Sequence, residues 1–294
     1  VWMRAKLGTR ESLALRSALL AWILVTLLFV IVAANPHAAS ASVMQLHGAL
    51  NREGILGIIS HRGAAAIAPE NTLTAMRVAF EQDVEFVEAD VQLTADGVPI
   101  LIHDPTLDRT TNGSGPIAAH TLAEIKALDA GSWFGAEFAG ETIPTLEEFV
   151  EALEPTTTRA LIELKGIWQP EQVEALVEFL RSHSLVNRVA LQSFELPTLE
   201  MLRETAPEFA RVMLTREWDD VVAEQAVALQ VSAVGARTKL FDRRPDLIEQ
   251  LRTLGIGSLV YTLNSERGWT RAAEAGFDLV VTDDPVSLAG WQGR

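Results

Sequence analysis

The sequence predicts an α/β fold, a closed eight-stranded (β/α)8 TIM-type barrel preceded by an N-terminal hydrophobic helix. Three observations carry that expectation. Short runs rich in β-formers alternate with helical patterns along roughly 250 residues, the length that a closed parallel barrel needs. No stretch rich in Pro, Gly or Ser breaks the alternation, so a single domain is expected. The 294-residue chain is 48% hydrophobic and 21% charged, which suits a packed core and excludes a disordered chain.

The N-terminal element comes first. From Ser17 to Asn51 there is no Asp, Glu, Lys or Arg, and Ala18–Ala34 is almost wholly apolar. Arg4, Lys6, Arg10 and Arg16 precede it against the single acid Glu11, a bias that holds the N-terminus in the cytoplasm. The run falls between a signal-peptide core of roughly 7–15 residues and a spanning helix of roughly 17–25. Ala39-Ser40-Ala41 then offers a small-x-small cleavage site. Residues 1–41 are therefore expected to be a signal peptide or a membrane anchor. Residues 42–294 are expected to form the barrel domain outside the cytoplasmic membrane, secreted or anchored through residues 17–34.

Strands are expected at Ile55–Ser60, Glu85–Leu93, Val98–His103, Ala160–Lys165, Arg188–Ser193, Ala210–Leu214, Ala233–Ala236, Ser258–Leu263 and Leu279–Thr282. That is one run more than a barrel uses, and Ala95-Asp96-Gly97 reads as a tight turn joining two adjacent runs rather than a crossover. Helices are expected at Asn71–Gln82, where Leu73, Met76 and Phe80 share a face, and at Glu171–Arg181, with Pro170 suited to its first turn. Pro105–Pro144 is the longest irregular stretch, with a turn-rich start at 111–116 and a short helix at Leu122–Leu128. A loop this long in a compact domain is usually functional. Its Trp133-Phe134 pair either contacts substrate or lipid, or anchors the loop to the core.

Composition excludes several function classes. With 24 Lys+Arg against 39 Asp+Glu, a net charge of −15, binding to nucleic acid through phosphate neutralisation is not expected. Cysteine is absent, so there is no disulfide framework, zinc-cysteine site or cysteine nucleophile. G-x-S-x-G, GKS/GKT, H-E-x-x-H and G-x-G-x-x-G are all missing. A phosphate ester bound by so acidic a chain must have its charge met locally, by a metal or by specific Arg and Lys.

Polar residues at the ends of apolar strands stand out instead, where a parallel barrel builds its site. His61-Arg62-Gly63 follows Ile58-Ile59-Ser60; the Arg offers a donor fork, and the Gly would let a ligand approach the backbone. Glu70-Asn71-Thr72 reads as a capped helix start or as part of the site. Glu88 and Asp90 emerge on one face of a strand whose Val87, Ala89 and Val91 emerge on the other. Two anions that close need a shared proton or a cation between them. His103-Asp104 ends a further run, and Glu163 and Lys165 share a face of another.

Together these supply three carboxylates (Glu88, Asp90, Glu163), two imidazoles (His61, His103) and two cations (Arg62, Lys165). All-oxygen ligation favours Mg2+ or Ca2+. The reaction class this set predicts is metal-assisted displacement at phosphorus, with one histidine expected to take a proton and the other to give one.

At these residues the sequence resembles the glycerophosphodiester phosphodiesterase family. The matches are SHRG at 60–63, APENT at 68–72, EADVQLTADGVPILIHDPTLDRTTNGSG at 88–115, ALDAGSWFG at 127–135, IPTLEE at 143–148, IELK at 162–165, YTLN at 261–264 and VTDDP at 281–285. The resemblance implies a phospholipase-C-like phosphodiesterase barrel that hydrolyses glycerophosphodiesters to sn-glycerol 3-phosphate and an alcohol with Mg2+ or Ca2+. It implies His61 as proton acceptor, His103 as proton donor, and Glu88, Asp90 and Glu163 as metal ligands. Arg62 and Lys165 would face the phosphate, and Glu70 would support the metal or Arg62. It also suggests that a glycerol hydroxyl attacks first, giving a cyclic phosphate that water opens. Tyr261, among the substrate-binding residues, is a mild departure, since relatives often have Trp there; it would alter how the glycerol backbone or leaving alcohol packs and leaves the catalytic set complete.

The expected partner is thus a small-molecule glycerophosphodiester, with membrane contact through the N-terminal segment if it is uncleaved. Two alternatives stay open. One is a lysophospholipase D-like lipid phosphodiesterase at the membrane, and the other is a module that holds a phosphodiester without cleaving it.

Overall fold

The computed structural model describes residues 56–82 and 84–294. The expected signal peptide or anchor over residues 1–41 lies outside the described residues. Among these, no helix is long and apolar enough to cross a membrane.

Nine strands form: β1 (Gly57–Ser60), β2 (Phe86–Leu93), β3 (Pro99–Leu101), β4 (Arg159–Leu164), β5 (Val189–Ser193), β6 (Ala210–Leu214), β7 (Ala233–Arg237), β8 (Gly257–Tyr261) and β9 (Leu279–Thr282). Eight of them are parallel in the closed order β1-β2-β4-β5-β6-β7-β8-β9, sealed where β1 meets both β2 and β9. The expected barrel is the observed one. The surplus run is β3, which pairs antiparallel with β2 outside the ring. Its turn closes through Thr94 N–H to the Val98 carbonyl at 3.1 Å, with Gly97 at φ +79°. A side chain rarely adopts that conformation, so the glycine is what lets the turn form.

The strands read as apolar runs because both of their faces are buried. Ile59, Phe86, Leu161, Ala190, Val212, Ala233, Leu259 and Leu279 point inward and fill the barrel as an apolar plug. Their sequence neighbours Ile58, Val87, Ile162, Leu191 and Val280 point outward, into the larger core under the helices. Full burial of such a side chain is worth about 1.5–3 kcal/mol.

Helix α1 (Leu73–Phe80) starts two residues later than its periodicity suggests. Thr72 is the N-cap, its Oγ1 accepting from Ala75 N–H at 3.2 Å, while Asn71 sits at φ +56°. The Asn71 side chain is used elsewhere, as described below. Helix α2 (Leu122–Lys126) and helix α3 (Leu146–Leu153) both begin with capping boxes, Thr121/Glu124 and Thr145/Glu148. Helix α4 (Pro170–Ser182) has Pro170 in its first turn, as expected.

The long stretch between β3 and α3 has a small core of its own, in which Leu107, Ile117, Ile125, Ala130 and Ile143 pack with Ile100 and Ile102. The Asp129 carboxylate ties it together by accepting from the N–H groups of Gly131, Ser132 and Gly140, and these bonds hold its pKa well below the usual range. Trp133 donates its indole N–H to the Ala130 carbonyl at 2.9 Å and meets Phe134 edge-on, which in turn meets Phe138. The aromatic pair therefore anchors the loop to itself, and neither ring lines the barrel's cavity.

Candidate active site

Beyond the apolar plug, the same alternation brings polar side chains to the mouth at the strands' C-terminal ends. Two and four residues past the inward Phe86 stand Glu88 and Asp90; past Leu161 stand Glu163 and Lys165; two past Ala190 stands Gln192. Register aligns Asp90 with Glu163 and Glu163 with Gln192 on neighbouring strands. His61, Arg62, Glu88, His103, Glu163, Lys165 and Tyr261 all line one cavity of about 860 Å3. Asp90 lies just beneath its wall, at 1% exposure, and Glu70 stands behind it in the loop before α1.

Glu88, Asp90 and Glu163 each offer an oxygen within 4.8 Å of the others, and all three are buried. Their ionisation is unequal. Burial, then the charges of Asp90 and Glu163, push Glu88 well above the usual carboxylate range. Burial, then Asp90, raise Glu163 to about 7, against the pull of Lys165. Burial also works against Asp90, but Arg62 and Lys165 together outweigh it and hold its pKa at about 2. Lys165 Nζ is 2.9 Å from Glu163 and 3.5 Å from Asp90, while Arg62 Nε is 3.1 Å from Asp90. A cluster whose acids resist full ionisation is one that a cation would complete. Gln192 agrees with this: its Nε2 donates to Glu88 at 3.3 Å, while its buried Oε1 accepts from nothing among the described residues. The donors are all oxygen, which fits Mg2+ or Ca2+ rather than a soft metal, so these carboxylates can hold a metal ion.

Arg62 and Gly63 turn the chain sharply after β1, at φ +52° and +77°. A Cβ on Gly63 would come within 2.5 Å of the Ala75 backbone. The glycine thus makes room for α1, which corrects the expectation that it admits a ligand. The turn presents Arg62 N–H to Glu88 at 2.9 Å and Arg62 Nη1 to Glu70 at 2.7 Å. Burial opposes the Arg62 charge, but Asp90, Glu70 and Glu88 around it raise its pKa. Glu70 therefore supports Arg62.

Several residues not singled out for a role complete the constellation. Asn71 grips Asp90 twice, donating Nδ2–H to Oδ2 at 2.9 Å and accepting from the Asp90 N–H at 3.2 Å. His61 Nδ1 lies 2.5 Å from Asp283 Oδ1, and Asp283 is held in turn by Asn264. His103 Nδ1 is 2.7 Å from Asp104 Oδ1. Arg109 joins Asp104 to Glu70, at 2.6 Å and 2.7 Å. Gln92 Nε2 fixes the His103 turn through the carbonyls of Ile102, His103 and Asp104. Burial lowers the His103 pKa, with Asp90 and Asp104 acting against it. Asp283 was within reach of parity, since Leu279 and Val281 point inward and 283 continues their set. Arg109 had no such signal, because it lies in an irregular loop.

Comparison with known proteins bears on this geometry. Residues 61–287 match the model of the Glycerophosphoryl diester phosphodiesterase family. The chain is similar to a glycerophosphodiester phosphodiesterase of Caldanaerobacter subterraneus, at 36% identity over 79% of this chain and 95% of that protein. Among solved structures it is similar to a phosphodiesterase from Oleispira antarctica in complex with the product sn-glycerol-3-phosphate (TM-score 0.76, 33% identity, 81% of this chain and 97% of that one). It is also similar to a glycerophosphodiester phosphodiesterase from Agrobacterium tumefaciens (TM-score 0.69, 34% identity, 80% and 100%). The chain belongs to the glycerophosphoryl diester phosphodiesterase family and is a phosphoric diester hydrolase.

Proposed function

We propose that the protein hydrolyses glycerophosphodiesters to sn-glycerol 3-phosphate and an alcohol, with Glu88, Asp90 and Glu163 holding Mg2+ or Ca2+ and with His61 and His103 moving protons. The observation that carries this reading is that three buried carboxylates, two imidazoles and two cations from separate parts of the chain meet at one cavity. The relative from Oleispira antarctica, solved with sn-glycerol-3-phosphate, supports the same product here.

The ion would polarise a phosphoryl oxygen and offset charge in the anionic transition state. Arg62 and Lys165 add positive charge beside the same cluster, where burial strengthens electrostatic interactions. His61, its Nδ1 taken up by Asp283, has Nε2 left to accept the proton of the attacking hydroxyl. When that hydroxyl is the glycerol's own, its oxygen bonds to phosphorus, the bond to the alcohol oxygen breaks, and His103 gives the alcohol its proton; water, losing a proton to His103, then opens the cyclic phosphate while His61 returns its proton to the glycerol oxygen. Tyr261 packs edge-on to Phe194 at 6.4 Å and offers the substrate's carbon skeleton an apolar surface.

The test is hydrolysis of glycerophosphocholine by the purified protein, with Mg2+ or Ca2+ and with chelator. Choline release that the chelator stops is expected. Release indifferent to chelator would overturn the metal requirement, and no release with either ion would overturn the diesterase reading. Faster cleavage of lysophosphatidylcholine would move the substrate to lipids. Export through residues 1–41 belongs to the same proposal, and activity recovered only from the cytoplasmic fraction would contradict it.

A further inference from the structure

The cavity extends well beyond the carboxylates. In the closed strand order β6 and β7 lie across the barrel from β1 and β2. The far wall is basic: Arg216 follows β6, Arg237 ends β7, and Lys239 and Arg243 lie on the helix Thr238–Arg243 that follows, and all four line the cavity. Among the described residues none of the four forms an ion pair with a carboxylate. Arg216 stacks over the Phe194 ring at 4.2 Å, and Arg243 Nε donates to the Lys239 carbonyl at 3.1 Å. Glu195 is the acid that reaches the cavity from beside this wall. Four cations gathered with no carboxylate partner among the described residues run against the trend of a chain with net charge −15.

We infer that this wall is a subsite for a second phosphate, carried by the alcohol portion of the diester. The inference rests on the diesterase reading and names its substrate class, a glycerophosphodiester whose leaving alcohol is itself phosphorylated. With the scissile phosphorus at the β1, β2 and β4 side, an alcohol directed across the mouth ends among these cations. Guanidinium forks match phosphate geometry, and an unpaired Arg or Lys can bind an anion without first giving up an internal partner. The volume of about 860 Å3 sits in the range of ligand pockets and leaves room beyond a glycerol phosphate unit.

The test compares kcat/KM for sn-glycero-3-phosphoinositol 4-phosphate with that for sn-glycero-3-phosphoinositol, a pair that differs only in the second phosphate. The wild-type protein should prefer the phosphorylated substrate by about tenfold, the effect of one or two charge-assisted hydrogen bonds. Arg237→Ala/Lys239→Ala should bring the ratio close to one, and Arg216→Ala, at an exposed side chain in the loop after β6, should reduce it by a smaller factor. Equal kcat/KM in the wild type, or a ratio unchanged in both variants, would overturn the anionic subsite while leaving the diesterase standing. Cleavage of neither substrate would instead overturn the diesterase reading.

Discussion

The two walls of the cavity treat charge in opposite ways. On the wall built by β1, β2 and β4, ionic groups are linked in a chain, from Lys165 to Asp90, Arg62, Glu70, Arg109, Asp104 and His103. On the wall built by β6 and β7, Arg216, Arg237, Lys239 and Arg243 have no carboxylate partner among the described residues. Partnered charges fix positions, because each removal orphans a neighbour in a buried setting; unpartnered ones at an exposed rim await a ligand and carry little of the fold. Substitutions should therefore propagate on the first wall and act singly on the second.

The largest expected break is at the carboxylates. Glu88→Ala removes a ligand oxygen and leaves both the Arg62 N–H and Gln192 Nε2 without their acceptor. Calorimetric titration with Ca2+ or Mg2+ should show no binding, and turnover should vanish. Next in size are His61→Ala and His103→Ala. Each should lower kcat by about 100-fold or more, the range of general acid–base catalysis, while the thermal melt stays cooperative. Wild-type kcat in His103→Ala would remove it as the proton donor.

Much of the first wall was legible in the sequence, and the reason is geometric. A strand's period of two puts Glu88 and Asp90 on one face and ties them to the inward Phe86, so a motif on one strand reports which way its side chains point. The barrel itself followed from the alternation of elements, and β3 from the Asp-Gly turn. What the sequence obscured was pairing at a distance. Nothing local links Asp283 to His61 across 222 positions, or Arg109 to Glu70 across 39. Asn71 was hidden differently: the spacing of Leu73, Met76 and Phe80 extended the expected helix over it, whereas it sits at φ +56° and its side chain meets Asp90. The far wall was obscured because Arg237 and Lys239 are single charges at a strand end and a helix start, where a solvated surface is the ordinary explanation.

A third expectation concerns stability without metal. Glu163, lifted from 4.5 to about 7, and Glu88, also raised, bind protons more tightly in the folded state than in the unfolded one. Their contribution is fully present below the unfolded value and is lost as pH rises through the folded value. The chelated protein should therefore lose about 2–3 kcal/mol between pH 5 and about pH 8, read as a falling melting temperature. Adding Mg2+ or Ca2+ should restore the loss at the upper end, since the ion replaces the protons. Asp90 behaves oppositely, adding stability above its unfolded value and losing it only as pH falls through about 2. A chelated melting temperature flat across that window would mean that the acids ionise together, and the contrast between the two walls would weaken.

The smallest effect separates holding a histidine in place from tuning it. Asp104 accepts from Arg109 and lies against His103 Nδ1, so it acts on the imidazole both as an orienting contact and as a hydrogen-bond partner that raises its pKa. Asp104→Asn keeps the shape and removes the charge. With burial already pulling His103 below its ordinary value, the alkaline limb of kcat/KM should move further to lower pH. The sign follows from the donor role, because activity that needs protonated His103 is lost as pH rises through its pKa. Arg237→Ala/Lys239→Ala, across the cavity, should leave that limb in place on glycerophosphoinositol. A limb unmoved by Asp104→Asn, with kcat reduced at every pH, would make Asp104 an anchor for the turn and return the source of the proton to another group on the first wall.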